Sequence, residues 1–381
     1  MKFGIAILSL IAILVPCAAQ TSNSPRQTAA SLEQAGKFPE AEAAWREVLK
    51  TRPTAEAYAH LGFLEARQDH YKEAIPLYRK ALALNPTMPG LRMNFGLALF
   101  KGGELKEAIQ AFQHVQKTQP EEAPRLKTLI GIAYYGLNDY TAAIPYLKEV
   151  TAGDPQNLPF RLMLAHSCLG AKQYQCVLDV YHEILLLNAE SAEADMLAGE
   201  ALDDMKDKPG ATQQFRAAVK ANPQEPNVHF GLGYLLWGQS QYEEAAQEFE
   251  AELTNDPNHA QALTYLADAD LKLNRSVAAL PLLRKAVQIN PTMPLPHLDL
   301  GILDADAGHR DEALKEMTTA AKLNPNDVNV HWRLGRLYKS MGRNEEAAAE
   351  FAKTKNLTKA ANDSVTARLQ EAHEKSKQPA N

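Results

Sequence analysis

The fold of this chain is decided by a stretch of 34 residues that recurs along it, seen at residues 226–259 as PNVHFGLGYLLWGQSQYEEAAQEFEAELTNDPNH. Gly233 stands 24 residues before Pro257, Ala245 lies midway between them, and the bulky Phe249 follows Ala245 by four residues. Two antiparallel helices approach closely where both present small side chains, so Gly233 and Ala245 predict a helical hairpin. Pro257 is expected to end the second helix of that hairpin.

This spacing is repeated along most of the chain. Prolines recur at steps of 34 or 35 residues from Pro86 to Pro325, with one double step of 68 that passes Ala189. The small residue of the first helix recurs in nine units, at Gly62, Gly96, Gly131, Ala165, Gly199, Gly233, Ala267, Gly301 and Gly335. The nine units start near Ala55, Pro89, Pro124, Leu158, Ala192, Pro226, Ala260, Pro294 and Val328. A degenerate unit from Ser22 to Pro53 precedes them and makes ten.

The pattern resembles the tetratricopeptide repeat, a helical hairpin with a period of 34 residues. The resemblance implies an all-α solenoid, a right-handed superhelix of about ten hairpins that covers residues 20–361. Residues 362–381 are expected to form a capping helix and a tail, because Val365, Leu369 and Ala372 make a narrow apolar face in a polar segment. No independent domain is expected within the array.

Residues 1–19 are predicted to be a secretory signal. Lys2 precedes an apolar run from Ile5 to Val15, and small residues before Gln20 predict cleavage after Ala19. One alternative is an uncleaved anchor, although the run is shorter than the roughly 20 residues that span a bilayer. The other is lipid attachment at Cys17 of a bacterial lipobox, to which the preceding proline is a poor fit. We expect an exported protein of the bacterial periplasm or cell envelope, associated with the membrane only if Cys17 is lipidated or the signal is uncleaved.

Composition and motifs argue against nucleic-acid binding and against catalysis. The 46 acidic residues outnumber the 40 basic ones, which is unfavourable for contact with a phosphate backbone. Gly231-Leu232-Gly233 lacks the third glycine of a dinucleotide-binding motif, and the eleven histidines include no pair at the spacing of a zinc-binding helix. We therefore predict no enzyme activity, no metal site and no cofactor.

In the tetratricopeptide family, the fifth, ninth and twelfth positions of the first helix tend to face a concave groove. The resemblance therefore predicts a peptide-binding groove that contains Phe63, Met93, Leu97, Phe100, Tyr135, Glu200, Phe230, Tyr234, Trp237, Asp268, Trp332 and Arg336. Apolar stripes at helical spacing are usually core, so some of these side chains are alternatively expected only to pack neighbouring first helices. Phe230, Tyr234 and Trp237 lie on one stripe of one helix and are the predicted main contact. The nearby Glu200 and Asp268 favour a ligand with an apolar residue beside lysine or arginine.

Cys168 and Cys176 lie on either side of the turn of the fifth hairpin and are predicted to form a disulfide. Their distances from the turn match imperfectly, so two free thiols are the alternative. An exported location is oxidising and allows the pairing. This unit also has Ala165 for glycine, Val177 for alanine and Ala189 for proline, which predicts the weakest hairpin of the array.

The function predicted from these features is an interaction scaffold that binds a protein or peptide segment in its groove. One alternative is a lipid-anchored or membrane-associated assembly factor for export or polysaccharide machinery. Another is a non-catalytic regulatory subunit of an enzyme. The lysine and asparagine clamp of the family's chaperone adaptors is not matched, because Ala59 and Phe63 stand where it would begin.

Overall fold

The structure is a computed structural model that describes residues 24–377, with side chains as far as Ser364 together with Thr366. The predicted signal and Cys17 lie outside the described residues. The described part contains twenty α-helices and no strand. It divides into two units, the first ending at Ala189 and the second beginning at Glu190. The division falls where the repeat lacks its proline.

The first unit contains five helical hairpins. Their helices are α1 Pro25–Gln34, α2 Phe38–Thr51, α3 Ala55–Arg67, α4 Tyr71–Leu84, α5 Leu91–Lys101, α6 Leu105–Thr118, α7 Ala123–Gly136, α8 Tyr140–Gly153, α9 Leu158–Gly170 and α10 Tyr174–Leu187. A 3₁₀ turn at Pro120–Glu122 takes up the single residue that is inserted before the fourth hairpin.

The second unit contains the other five hairpins. Their helices are α11 Ala192–Asp204, α12 Lys208–Ala221, α13 Val228–Gly238, α14 Tyr242–Asn255, α15 Ala260–Lys272, α16 Ser276–Ile289, α17 Pro294–Asp306, α18 Arg310–Leu323, α19 Val328–Ser340 and α20 Asn344–Lys377. The all-α solenoid of ten hairpins expected from the sequence is confirmed.

The repeated glycine of the first helix lies directly against the bulky side chain of the second helix. A Cβ atom added at Gly233 would stand 2.7 Å from the ring of Phe249, and one added at Gly335 would stand 2.7 Å from the ring of Phe351. Both distances are shorter than van der Waals contact, so any larger residue would push the helices apart. The bulky residue, and not only the small alanine, therefore explains why glycine recurs.

Every hairpin turn contains one residue in the left-handed region of backbone space. These residues are Gly36, Asp69, Gly103, Asn138, Lys172, Lys206, Ser240, Asn274, Gly308 and Gly342, with φ between 57° and 83°. Only four of the ten are glycine. The hairpin therefore imposes this backbone geometry, and the other six residues adopt it at a cost in free energy.

Three histidines join the two helices of their own hairpins. His229, His297 and His331 place Nδ1 at 2.6, 2.6 and 2.5 Å from the carboxylates of Glu248, Glu316 and Glu350 respectively. Nε2 of His297 and of His331 also approaches the carbonyl oxygen of the proline that precedes each hairpin. These three histidines occupy equivalent positions of their repeats and make the same contact in each.

Within the described residues, which end at 377, the capping helix expected at residues 362–381 is not separate from the last hairpin. One helix, α20, runs without interruption from Asn344 to Lys377. Eight of the other nine second helices end just before a proline, whereas α20 has Lys359, Ala360 and Ala361 at the corresponding place, and all three favour continuation of a helix.

Candidate functional site

The first helix of the seventh hairpin carries aromatic side chains on the face that its core does not use. Leu232, Leu235 and Leu236 of α13 are buried, whereas Tyr234 is 43% exposed. Phe230 and Trp237 stand on the same stripe and are half-buried. A helix that is apolar on two faces offers one of them to a neighbouring element or to a partner.

Tyr265 of α15 completes this group of rings. Its ring centroid lies 6.0 Å from that of Phe230, 5.1 Å from that of Tyr234 and 5.0 Å from that of Trp237. The contacts with Tyr234 and Trp237 are edge-to-face, an arrangement that aromatic pairs favour. We call Phe230, Tyr234, Trp237 and Tyr265 the aromatic site. Sequence reasoning missed Tyr265 because it belongs to the next repeat and lies one residue away from a predicted groove position.

Trp237 is held in place by a buried carboxyl group. Its indole Nε1 donates a hydrogen bond of 2.6 Å to Oδ2 of Asp268, which is 5% exposed. The ammonium group of Lys272 lies 3.6 Å from the other oxygen of Asp268. The prediction that Asp268 is an accessible acidic residue of the groove is wrong, because its carboxyl group is used to fix the indole.

Tyr265 keeps its phenol protonated in this setting. Burial raises the pKa of Tyr265 to about 12, and the neighbouring Tyr234 and Asp268 act in the same direction. The aromatic site therefore presents apolar ring surface and neutral hydroxyl groups, with its acidic group beneath the indole.

A second buried carboxyl group lies on the next first helix. Asp299 of α17 is 4% exposed, and its Oδ2 atom has no hydrogen-bond partner among the described residues. Burial and the nearby charge of Asp268 raise the pKa of Asp299 to about 8, although Lys272 and Arg333 act in the opposite direction. The side chain is therefore largely protonated at neutral pH.

The groove predicted in the first unit is closed at its third hairpin. Met93 and Leu97 are 2% and 4% exposed and belong to one buried cluster with Ala59 and Ala66 of the preceding first helix. These alanines are small enough for α5 to pack closely on α3. The prediction that Met93 and Leu97 contact a ligand is wrong, and the alternative of packing between first helices applies to them.

The remaining predicted residues are partly or fully accessible. Phe63 and Phe100 are half-buried against the core clusters of the first unit, and Tyr135 packs its ring 5.9 Å from that of Tyr140. In the second unit, Glu200 is exposed on α11.

The last hairpin carries the two remaining predicted residues, Trp332 and Arg336 of α19. Trp332 is 39% exposed, and the guanidinium carbon of Arg336 lies 4.8 Å from the centroid of its indole. The contacts of the second unit thus bring together Phe230, Tyr234 and Trp237, and separately Trp332 and Arg336.

Cys168 and Cys176 are joined by a disulfide in the structure, with their Cα atoms 5.8 Å apart across the turn between α9 and α10. Within the described residues, no group of three or more histidine, cysteine, aspartate or glutamate side chains is arranged to hold a metal ion. Among the same residues, no helix is long and apolar enough to cross a membrane.

Helical hairpins of one repeated pattern, most of them closed by a contact between a small residue and a bulky one, define a helical-repeat protein. Models of the tetratricopeptide repeat match residues 27–89, 65–131, 124–157, 230–294, 275–331 and 304–360. These matches together cover more than half of the chain, which therefore belongs to the tetratricopeptide-repeat family. Proteins of this family generally mediate protein–protein interactions and are typically non-catalytic.

Known relatives are distant. The chain is 24% identical over 301 residues to the protein CTR9 homolog of Arabidopsis thaliana, which covers 75% of this chain and 28% of that protein. It is 22% identical to the BBSome complex member BBS4 of Bos taurus, over 82% of this chain and 60% of that protein. It is 23% identical to the TPR repeat-containing protein YpiA of Bacillus subtilis, over 63% and 58% of the two chains. The chain thus spans less than two thirds of the length of these relatives.

Similar solved structures include YrrB, described as a TPR protein with an unusual peptide-binding site, at 21% identity and a TM-score of 0.39. The similarity covers 46% of this chain and 91% of that one. MamA is 20% identical with a TM-score of 0.38, over 43% of this chain and 96% of that one.

Proposed function

We propose that this protein is an interaction scaffold that binds an extended segment of a partner protein, with the aromatic site as the main contact. The observation that carries the proposal is Tyr234, 43% exposed on a helix whose leucines are buried. Large aromatic side chains with a polar tip contribute most of the binding energy in many interfaces. Their two side-chain torsions also lose little entropy on binding.

Contacts within the protein hold the rings of the aromatic site in place. Trp237 is fixed by Asp268, and Tyr265 packs against Trp237 and Tyr234, so a partner does not have to order these rings. Preorganisation of this kind increases affinity because less side-chain freedom is lost on binding. An apolar side chain suits the exposed ring surface, and the exposed Glu200 on α11 suits a lysine or arginine beside it.

We further propose that the protein acts outside the cytoplasm, in the periplasm or cell envelope of a bacterium. Residues 1–19 support this proposal, because their apolar run and the small residues after it are typical of a signal cleaved after Ala19. Leu14-Val15-Pro16-Cys17 supports a second candidate, a lipid-anchored assembly factor. The mass of the mature protein separates the two, since cleavage after Ala19 removes Cys17, whereas lipidation retains it with an added lipid mass.

Site-specific photocrosslinking tests the scaffold proposal. Benzoylphenylalanine is introduced at position 234 and, as a matched control, at position 277, where Val277 of α16 is 92% exposed. Crosslinks to a discrete partner band in envelope extract at position 234 and not at position 277 are expected. Equal capture at both positions, or capture only at position 277, would refute the aromatic site as the contact.

A further inference from the structure

A pocket with a different character lies between α17, α18 and α19. Its volume is about 190 Å³, and three arginines line it: Arg310 at the start of α18, and Arg333 and Arg336 on α19. We call these three residues the arginine pocket. Apolar side chains form the other walls, namely Ile302, Ala305, Met317 and Leu337.

The arginines of the pocket differ from other arginines of the chain in their lack of ion pairs within the described residues. Elsewhere in the chain, Arg79, Arg216 and Arg275 each pair with a glutamate of an adjacent repeat. In the part of the structure with described side chains, none of the three guanidinium groups of the pocket makes an ion pair, and the buried Nε of Arg333 has no hydrogen-bond partner. Three like charges that are held together and not paired with carboxylates favour the binding of an anion.

Two carboxyl groups of the protein itself lie close to the arginine pocket. Asp306 lines its rim, and Asp299 lies near enough to feel the charge of Arg333. Because Asp299 is buried and largely protonated near neutral pH, it does not neutralise the arginines. The pocket therefore keeps a net positive charge even with Asp306 ionised, which favours an anion.

Trp332 orients one of the guanidinium groups. The guanidinium carbon of Arg336 lies 4.8 Å from the indole centroid and that of Arg333 lies 5.6 Å from it. Stacking of this kind fixes the plane of a guanidinium group and leaves its N–H edge available. A carboxylate matches that edge with two parallel hydrogen bonds.

We propose that the arginine pocket binds a carboxylate of the same partner segment whose apolar side chain occupies the aromatic site, an inference that rests on the proposed function. The first helices α13, α15, α17 and α19 contact one another in sequence order. At roughly 8–10 Å between adjacent helices, the two sites are about 25–30 Å apart. An extended chain covers that distance with about eight residues. The ligand thus carries its apolar residue and its carboxylate about eight residues apart.

The carboxylate has two sources, an aspartate or glutamate side chain and the free C-terminus of the partner. Two random libraries of 16-residue peptides are therefore selected on the full-length protein, one displayed internally and one with a free C-terminus. Enrichment of acidic residues about eight positions from an aromatic or aliphatic residue in the internal library indicates the side chain. Enrichment only in the library with free C-termini indicates the terminal carboxylate.

Selected peptides are then synthesised, and their binding is measured to wild type, to two double variants and to Tyr234→Ala. Arg310→Gln/Arg336→Gln removes two exposed charges of the pocket, and Arg52→Gln/Arg284→Gln removes two exposed charges elsewhere. The pocket variant is expected to weaken binding about tenfold or more and the control to leave it unchanged. Replacing the acidic residue by its amide, or amidating the C-terminus, should abolish the difference between wild type and pocket variant.

The remaining outcomes separate the two proposals. Peptides that bind, lose affinity in Tyr234→Ala and are indifferent to Arg310→Gln/Arg336→Gln would overturn this inference and leave the proposed function standing. Selection of peptides without a required acidic residue or free C-terminus, with the same indifference, would also overturn it. If no peptide of either library binds, both the inference and the proposed function are wrong.

Discussion

The indole of Trp237 donates a hydrogen bond of 2.6 Å to the carboxyl group of Asp268 and so connects the first helices of the seventh and eighth hairpins. The bond joins residues 31 positions apart at a place where Asp268 is almost fully buried. The same tryptophan is therefore both part of the candidate binding surface and part of the packing between repeats. The two roles can be separated by replacing Trp237 with side chains of different size.

Trp237→Phe should destabilise the second unit without removing its ring surface. The change leaves the buried carboxyl group of Asp268 without its donor, which costs about 1–3 kcal/mol. Urea unfolding measures the loss. Trp332→Phe is the matched control, because Trp332 is 39% exposed and its indole N–H has no such buried acceptor among the described contacts. Equal stability of Trp237→Phe and wild type would contradict the structural role of this hydrogen bond.

Tyr234→Ala should weaken partner binding by about 2 kcal/mol, roughly thirtyfold, while changing stability little. Tyr234 is the exposed member of the aromatic site, so its loss removes contact area and leaves the core leucines in place. Trp237→Ala, by contrast, is expected to lower stability as well as affinity. Titration calorimetry with a selected peptide gives the affinities. Unchanged binding by folded Tyr234→Ala protein would exclude the aromatic site.

Much of the fold is predictable from the sequence because the repeat fixes the register of every hairpin. The helices α9, α11, α15, α17 and α19 begin at the residues expected, whereas α5 and α13 begin two residues late. Their caps, Gly90 and Asn227, adopt left-handed backbone angles after a proline, which delays the first turn. The single long α20 was not predicted, since the apolar residues of its end were interpreted as a separate helix.

The candidate site is less predictable because it depends on side chains from neighbouring repeats. Met93 and Leu97 share their periodic positions with Phe230 and Tyr234, yet only the former are buried, against the alanines of α3. The position within a repeat gives the direction of a side chain, but not the size of the side chain of the neighbouring repeat that faces it. For the same reason, Asp268 is predicted to be accessible in the groove, whereas the indole of Trp237 covers it.

Asp299→Asn should increase the free energy of unfolding over that of wild type at pH 8, and not at pH 4. The folded-state pKa of about 8 lies above the unfolded value of 3.8, so the folded protein binds the extra proton between these values. The unfolding free energy of wild type therefore falls as pH rises from about 4 to about 8. The amide has no charge to bury, so we expect a gain above about 1 kcal/mol at pH 8 and none from this source at pH 4.

The comparison of variant and wild type at each pH cancels the titration of groups that do not interact with Asp299. Asp311→Asn at an exposed position of α18 serves as the control and should give the same small difference at both pH values. A pH-independent difference for Asp299→Asn would show that its carboxyl group is not protonated in the folded protein.

Lys206→Gly should stabilise the sixth hairpin by about 1 kcal/mol. Lys206 has a φ of 71°, which costs a residue with a Cβ atom roughly that amount, whereas glycine adopts it freely. Gly308→Ala, at the corresponding turn of the ninth hairpin with φ of 82°, should lose a similar amount. Thermal unfolding of the two variants measures both effects. A destabilised Lys206→Gly protein would mean that the lysine side chain contributes more than its backbone costs.

Reduction of the disulfide should loosen the fifth hairpin before any other. A crosslink between Cys168 and Cys176, eight residues apart, stabilises the hairpin by roughly 2–3 kcal/mol in the chain-entropy description. The same unit has Ala165 in place of glycine and no proline at Ala189, and helical repeats depend on their nearest neighbours.

Alkylation without reductant should leave both cysteines unmodified in protein taken from an oxidising compartment. Hydrogen exchange of residues 158–191 should then be faster than that of residues 226–259, and faster still after reduction. Protein with two free thiols would refute the disulfide, and uniform exchange along the array would refute the weakness of this hairpin.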